Sequence, residues 1–140
     1  MSPDDPHLLF RHPSRRVRRT PLRDFLMDLV ERLKGDRAVT CLITTDEELR
    51  RLNRQFRGKN YATDVLSFPP DEMAISLDRA AAQAKELGHS LDAELRILML
   101  HGLLHLRGMD HENDSGEMRR AETRWRKRLG LPAGLIERAQ

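Results

Sequence analysis

Three histidines within eleven residues, His101, His105 and His111, are the side chains of this sequence best suited to chemistry. A four-residue step stacks His101 and His105 on one face of an α-helix, one turn apart, where two imidazoles can share a metal ion. The six-residue step to His111 corresponds to about 600°, roughly 240° net, at ~3.6 residues per turn, so a continuing helix would carry the third ring away. Gly108 lies between them. A glycine after the last turn can adopt a left-handed conformation, end the helix and swing the chain back, and the spacing therefore predicts that His111 faces the same point as the other two. Three neutral imidazoles with a fourth position left for water form the ligand set of a catalytic divalent metal, Zn²⁺ before others, rather than of a closed structural site. Burying three unpartnered imidazoles instead would be costly.

The same ligand spacing occurs in metzincin proteases, H-E-x-x-H-x-x-G-x-x-H. Those enzymes carry a glutamate beside the first histidine as general base, and this chain has Gly102 there. Glycine cannot move a proton, so a peptide or amide hydrolase is the alternative and not the preferred reading.

The run His101-Gly102-Leu103-Leu104-His105-Leu106-Arg107-Gly108-Met109-Asp110-His111, with Arg57-Gly58-Lys59 and Thr63-Asp64-Val65-Leu66-Ser67-Phe68-Pro69 upstream, resembles the signature blocks of the YbeY family of bacterial endoribonucleases and ribosomal RNA maturation factors. The resemblance implies a zincin-like α+β fold and one Zn²⁺ on His101, His105 and His111. It also implies metal-assisted hydrolysis of single-stranded RNA during ribosomal RNA processing, with ribosomal subunits as partners and no role for DNA. It places Arg57 at the active site. Independently, an arginine near a metal can hold a phosphodiester and offset the charge that grows in a phosphorane-like transition state. Asp110, beside His111, is a candidate either for the general base or for a residue that orients a ligand. The chain departs from the family at Met109, where relatives carry Tyr, and at Pro70-Asp71-Glu72-Met73, where they read Leu-Gly-Asp-Ile; the acidic function at that point could pass to Glu72. A further alternative is a ribosome-assembly binding factor whose zinc is structural.

Composition bounds these readings. A chain of 140 residues, 39% hydrophobic and 34% charged, fits one globular domain, with residues 1–19 as a basic N-terminal arm. No apolar run approaches the ~20 residues of a membrane span, and no signal-peptide core opens the chain, so no membrane association and a cytoplasmic location are expected. The single Cys41 suits a reducing compartment and reads as a small core residue. The net charge is only +3, but arginines cluster at Arg11, Arg15, Arg16, Arg18, Arg19 and Arg23 and again, with one lysine, at Arg119, Arg120, Arg124, Arg126, Lys127 and Arg128. Either cluster could serve as an RNA footprint or simply as a solvated face. Aromatics make up 4% of the chain, so RNA would be gripped mainly through phosphates and shape.

The elements that must position the histidines follow from pattern. Leu8-Leu9-Phe10 could form an edge strand. Thr20 and Pro21 supply a helix start for the stripe Leu22, Phe25, Leu26, Leu29, Val30 and Leu33, which ends at Gly35. Ala38–Thr44 reads as a strand, and Thr45 with Glu48 as a capping box for a helix carrying Leu49, Leu52 and Phe56. Short strands at Val65–Phe68 and Met73–Ser76 precede a helix over Leu77–Leu87 closed by Gly88. Ser90 caps the central helix, apolar nearly all round from Leu95 to Leu106, with Asp92 and Glu94 in its first turns; Glu94 could support a ligand but is expected to be solvated. Asp114 and Glu117 then cap a last helix with Met118, Ala121, Trp125 and Leu129 on one face. The sum is a mixed sheet of about four strands packed with about five helices, the metal site riding on a buried central helix.

Overall fold

The computed structural model describes residues 7–13, 15, 17–35 and 38–138. Arg16 of the first arginine cluster and the first six residues of the basic arm lie outside that range. In chain order the elements are β1 (Leu8–Phe10), α1 (Arg19–Lys34), β2 (Thr40–Thr44), α2 (Asp46–Arg57), β3 (Val65–Phe68), β4 (Glu72–Ser76), α3 (Leu77–Leu87), α4 (Leu91–Leu106), α5 (Glu117–Arg128) and α6 (Leu135–Arg138). The strands form one mixed sheet in the order β1-β2-β4-β3, with β1, β2 and β4 parallel and β3 antiparallel to β4. The α+β architecture expected from the sequence is thus present, with α6 as an additional short helix.

Alternation along the strands divides the sheet into two apolar faces. Cys41, Ile43, Met73 and Ile75 point into the main core with α1 and α4, whereas Leu42, Leu66, Ala74 and Phe68 join Leu49 and Leu52 under α2. A sheet covered on both sides needs short, nearly continuous apolar strands, as β2 and β4 are. Cys41 is fully buried, and burial pushes its thiol pKa up to about 12, which suits a core residue rather than a nucleophile.

Helix ends follow local chemistry. Thr45 Oγ1 accepts from the Glu48 N–H at 3.2 Å, but the Glu48 carboxylate turns to Arg51, so only half of the capping box forms. Ser76 and Ser90 cap α3 and α4 through the N–H groups of Arg79 and Ala93. The α1 start departs from expectation: the helix begins at Arg19, with Arg18 as an N-cap that makes no side-chain cap bond. Pro21 is tolerated there because the first-turn N–H groups have no partner within the helix. Phe56 departs too, since it is 61% exposed rather than buried under α2.

Helix α4 is the hub, packed by α1, α3, α5 and the β3-β4 hairpin. Leu95, Leu98, Met99, Leu100, Leu103 and Leu104 are all fully buried. Each buried side chain of this size stabilises the fold by about 1.5–3 kcal/mol, so whatever α4 carries is mounted on a densely packed element.

Candidate metal centre and its cleft

The last turn of α4 builds the centre. Gly108 has φ +100°, its N–H binds the His105 carbonyl at 2.9 Å, and the Met109 N–H binds the Leu104 carbonyl at 3.1 Å. These crossed bonds are a Schellman motif, which reverses the chain at a residue without a side chain. His111 is thereby returned to the C-terminal end of α4, with its ring centroid 5.5 Å from those of both His101 and His105. One ring nitrogen from each histidine lies within 4.8 Å of the others.

The outer nitrogens of two of the rings are already engaged. His101 Nδ1 lies 2.7 Å from Glu122 Oε2, and His105 Nδ1 lies 3.0 Å from the Met109 carbonyl oxygen. Both partners are acceptors, so each Nδ1 carries the proton and donates it, and each Nε2 presents a lone pair. Those two Nε2 atoms face each other at 3.2 Å. Two lone pairs at that distance repel unless a cation lies between them, and ~3.3 Å is the edge of a tetrahedron with Zn–N bonds of about 2.0–2.1 Å. The donor set and spacing therefore fit a divalent metal. Burial, and then the neighbouring His101, hold the His105 pKa below its ordinary value, which keeps it in the neutral, ligating form near neutrality.

Glu122 was not legible as a site residue among the charges of α5, yet it is fully buried. The signal was its position: four residues after Met118 and three before Trp125, it falls on the apolar stripe of the helix. Its second oxygen, Oε1, accepts the Ile136 N–H at 2.9 Å. A β-carbon at Gly134 would overlap the Glu122 carboxyl group, so only glycine lets the segment ahead of α6 close over it. Glu94 also defies expectation, being neither solvated nor beside a ligand. It is fully buried and binds Gln83, His89 and Arg138, the last through both guanidinium nitrogens, which ties α6 to α3 and α4.

The three histidines open into a cleft of about 510 Å³ that is also lined by Arg57, Ser67 and Asp110. Arg57, the last residue of α2, is exposed and forms no ion pair among the described residues. Asp110 is exposed at the rim, where its carboxylate accepts the Glu112 N–H and the Asn113 amide. Those two bonds hold its pKa below the ordinary carboxylate value. Glu72 begins β4 opposite Phe68 and shares the α2 face of the sheet, away from the Met73 and Ser67 side that meets α4. The acidic role considered for Glu72 would require the other face.

Gly102 packs directly on that side. A β-carbon there would sit 3.0 Å from the Met73 sulfur and 3.3 Å from Ser67 Oγ, and the Ser67 hydroxyl donates to the Gly102 carbonyl at 3.0 Å. The position occupied by a protease's glutamate is thus filled by the sheet.

The endoribonuclease YbeY family model matches residues 15–130. The chain belongs to the YbeY family of endoribonucleases. Endoribonuclease YbeY of Solibacter usitatus is 51% identical over 99% of this chain and 98% of its own length. The Koribacter versatilis YbeY is 58% identical over 71% of this chain and 70% of its own. A solution structure of a Thermotoga maritima protein superposes with a TM-score of 0.58 at 27% identity, covering 84% of this chain and 85% of that one. YbeY enzymes are hydrolases of RNA phosphodiester bonds, which argues against the peptidase alternative together with the packing at Gly102. The YbeY match takes in Arg57, the three histidines and Glu122 but stops short of α6. No helix among the described residues is long and apolar enough to cross a membrane.

Proposed function

We propose that this chain is a zinc-dependent endoribonuclease that cuts single-stranded RNA during ribosomal RNA maturation, working in the cytoplasm on ribosomal subunits. His101, His105 and His111 are the ligands, Arg57 holds the scissile phosphate, and the whole chain acts as one domain. The observation that carries the reading is the pair of Nε2 lone pairs facing each other at 3.2 Å beside His111, inside an open cleft that Arg57 also lines. When bound, zinc supplies Lewis acidity toward a phosphoryl oxygen and lowers the pKa of water toward neutrality. The half-exposed His105 and His111 suit a site that substrate must reach, whereas a purely structural zinc would be closed off.

The protein's own groups account for the remaining steps. Arg57 pairs with the non-bridging phosphate oxygens and neutralises charge as water adds to phosphorus and the P–O bond to the leaving ribose oxygen breaks. Water loses a proton and the leaving oxygen gains one, so a hydroxyl and a phosphomonoester result. Asp110 is assigned here to positioning: the bonds it accepts from Glu112 and Asn113 stiffen the turn that delivers His111, and they leave it a weaker proton acceptor.

The test is cleavage of a single-stranded RNA, its duplex form and casein by the zinc-loaded wild type, Arg57→Ala and His105→Ala. Cleavage of the single strand alone, lost in both variants while Arg57→Ala still binds one zinc, is the expected outcome. Casein turnover, or RNA cleavage that persists in His105→Ala, would refute it.

A further inference from the structure

The metal cleft does not end at the histidines. A second hollow of about 700 Å³ shares Asp64, His101 and His111 with it and runs past Gly116 and Arg119 toward Arg138. A third, of about 600 Å³, shares Gly116 and Arg119 with the second and continues along α5 between Arg120, Thr123, Arg124 and Lys127. The three hollows adjoin one another through these shared residues, and Arg57 lines only the first.

Along α5 the charged lining is all basic. Arg119, Arg120, Arg124 and Lys127 are all exposed, and none of them forms an ion pair among the described residues. Arg120, Arg124 and Lys127 lie at steps of four and three residues and so share a face of α5; from Arg119 to Lys127 the helix advances about 12 Å at ~1.5 Å per residue. The other basic residues of α5 are occupied. Arg126 pairs with Glu137 at 2.9 Å, and the Arg128 guanidinium stacks over Trp125. The acids that line the second hollow are engaged by the backbone: Asp64 accepts the Val65 N–H, and Asp114 accepts the N–H groups of Gly116 and Met118.

None of the described N-terminal arginines lines these hollows. Arg15 pairs with Asp78, Arg23 pairs with Asp24, and Arg19 lies over the Phe10 ring. Arg18 lines a separate hollow beside Leu91, fourteen residues before His105 on the same helix and so about 21 Å from the centre at ~1.5 Å per residue.

We infer that the RNA strand leaving the metal runs along α5, with Arg119 as the first phosphate contact beyond His111 and Arg120, Arg124 and Lys127 as the contacts that follow. This inference rests on the endoribonuclease reading and adds a direction to it. The contacts are a row of separate cations with no aromatic among the residues that line the third hollow, so they would hold phosphates and be indifferent to sequence; that the occupant is a single strand is taken from the endoribonuclease reading. Each phosphate neutralised on a single strand releases counterions and contributes about −0.7 to the slope of log affinity against log salt.

The experiment is equilibrium binding, by fluorescence anisotropy, of a short and a several-fold longer single-stranded RNA to three zinc-loaded proteins over a salt series. They are the wild type, Arg119→Gln/Arg124→Gln/Lys127→Gln and Arg11→Gln/Arg15→Gln/Arg18→Gln, with cleavage by the wild type recorded alongside. The α5 variant is expected to bind the long RNA at least tenfold more weakly, with a salt slope shallower by about 2. Its deficit on the short RNA should be smaller, and the N-terminal variant should match the wild type. Equal weakening by the two charge-matched variants, or no weakening by the α5 variant while the wild type cleaves RNA, would overturn the α5 path and leave the nuclease assignment standing. A wild type that neither binds nor cleaves RNA would overturn the nuclease assignment itself.

Discussion

His101 Nδ1 and Glu122 Oε2 are 2.7 Å apart in a part of the molecule closed to solvent, and the other oxygen of the same carboxylate is held by the Ile136 N–H. The bond fixes which nitrogen of His101 is protonated and aims its Nε2 at the centre. Glu122→Ala should therefore weaken zinc binding by roughly 10–100-fold, measured by competition with a chromophoric chelator. Glu122→Gln keeps an acceptor of the same shape and should recover part of that loss. Gly134→Ala should move in the same direction as Glu122→Ala, because its methyl group displaces the carboxylate. Unchanged affinity in all three would show that the carboxylate does not position the ligand.

In the proposed mechanism Arg57 acts on the transition state and not on the metal. Arg57→Ala is expected to lower kcat by about 10²–10³-fold with zinc stoichiometry unchanged. Arg57→Lys should restore only a part, since an ammonium lacks the planar fork. Single-turnover cleavage with metal content measured on the same sample checks both.

Gly102 predicts a failed conversion. Restoring the protease glutamate by Gly102→Glu forces a side chain against Met73 and Ser67, and overpacking of this kind costs about 1–3 kcal/mol or more. The thermal midpoint should fall, and no peptidase activity should appear in a fluorogenic peptide assay.

The acid response should centre on α6. The hydrogen bond from Arg126 holds the Glu137 pKa down at about 2, from an ordinary 4.5. Burial pushes Glu94 up, but its bonds to Arg138 and His89 outweigh that and leave it lowered as well. A carboxylate whose pKa is lower in the folded state stabilises the fold above its unfolded pKa, and the stabilisation is lost as pH falls through the folded one. The difference in metal-free stability between the wild type and Glu137→Gln should thus be full above pH 4.5 and vanish as pH approaches about 2, read from urea unfolding across that range. At neutral pH, Arg138→Ala should cost on the order of 3 kcal/mol, because Glu94 is left buried without its main counter-charge.

Much of this was readable before any coordinates. The His101 and His105 step, the glycine turn at Gly108 and the cap at Ser90 are local rules, set by residues within a few positions of each other, and each is present in the structure. The β3-β4 hairpin and the buried α4 follow from apolar runs. What local sequence does not reveal depends on long-range contacts. Glu122 and Glu94 look like surface acids until α6 is seen to close over one and tie the other, and α6 itself is four residues with no periodicity to betray it. The unequal fate of the two arginine clusters was likewise hidden, because the pairing of Arg15 with Asp78 spans 63 residues.

One metal, held by three imidazoles, is proposed to do the cutting. The most direct test is elemental analysis of the purified wild type and of His101→Ala/His105→Ala/His111→Ala, each then assayed on the same single-stranded RNA. One zinc per chain with cleavage is expected in the wild type, and neither metal nor cleavage in a variant that remains folded. RNA cleavage by the folded, metal-free variant, or a wild type that cuts RNA without binding any transition metal, would contradict it.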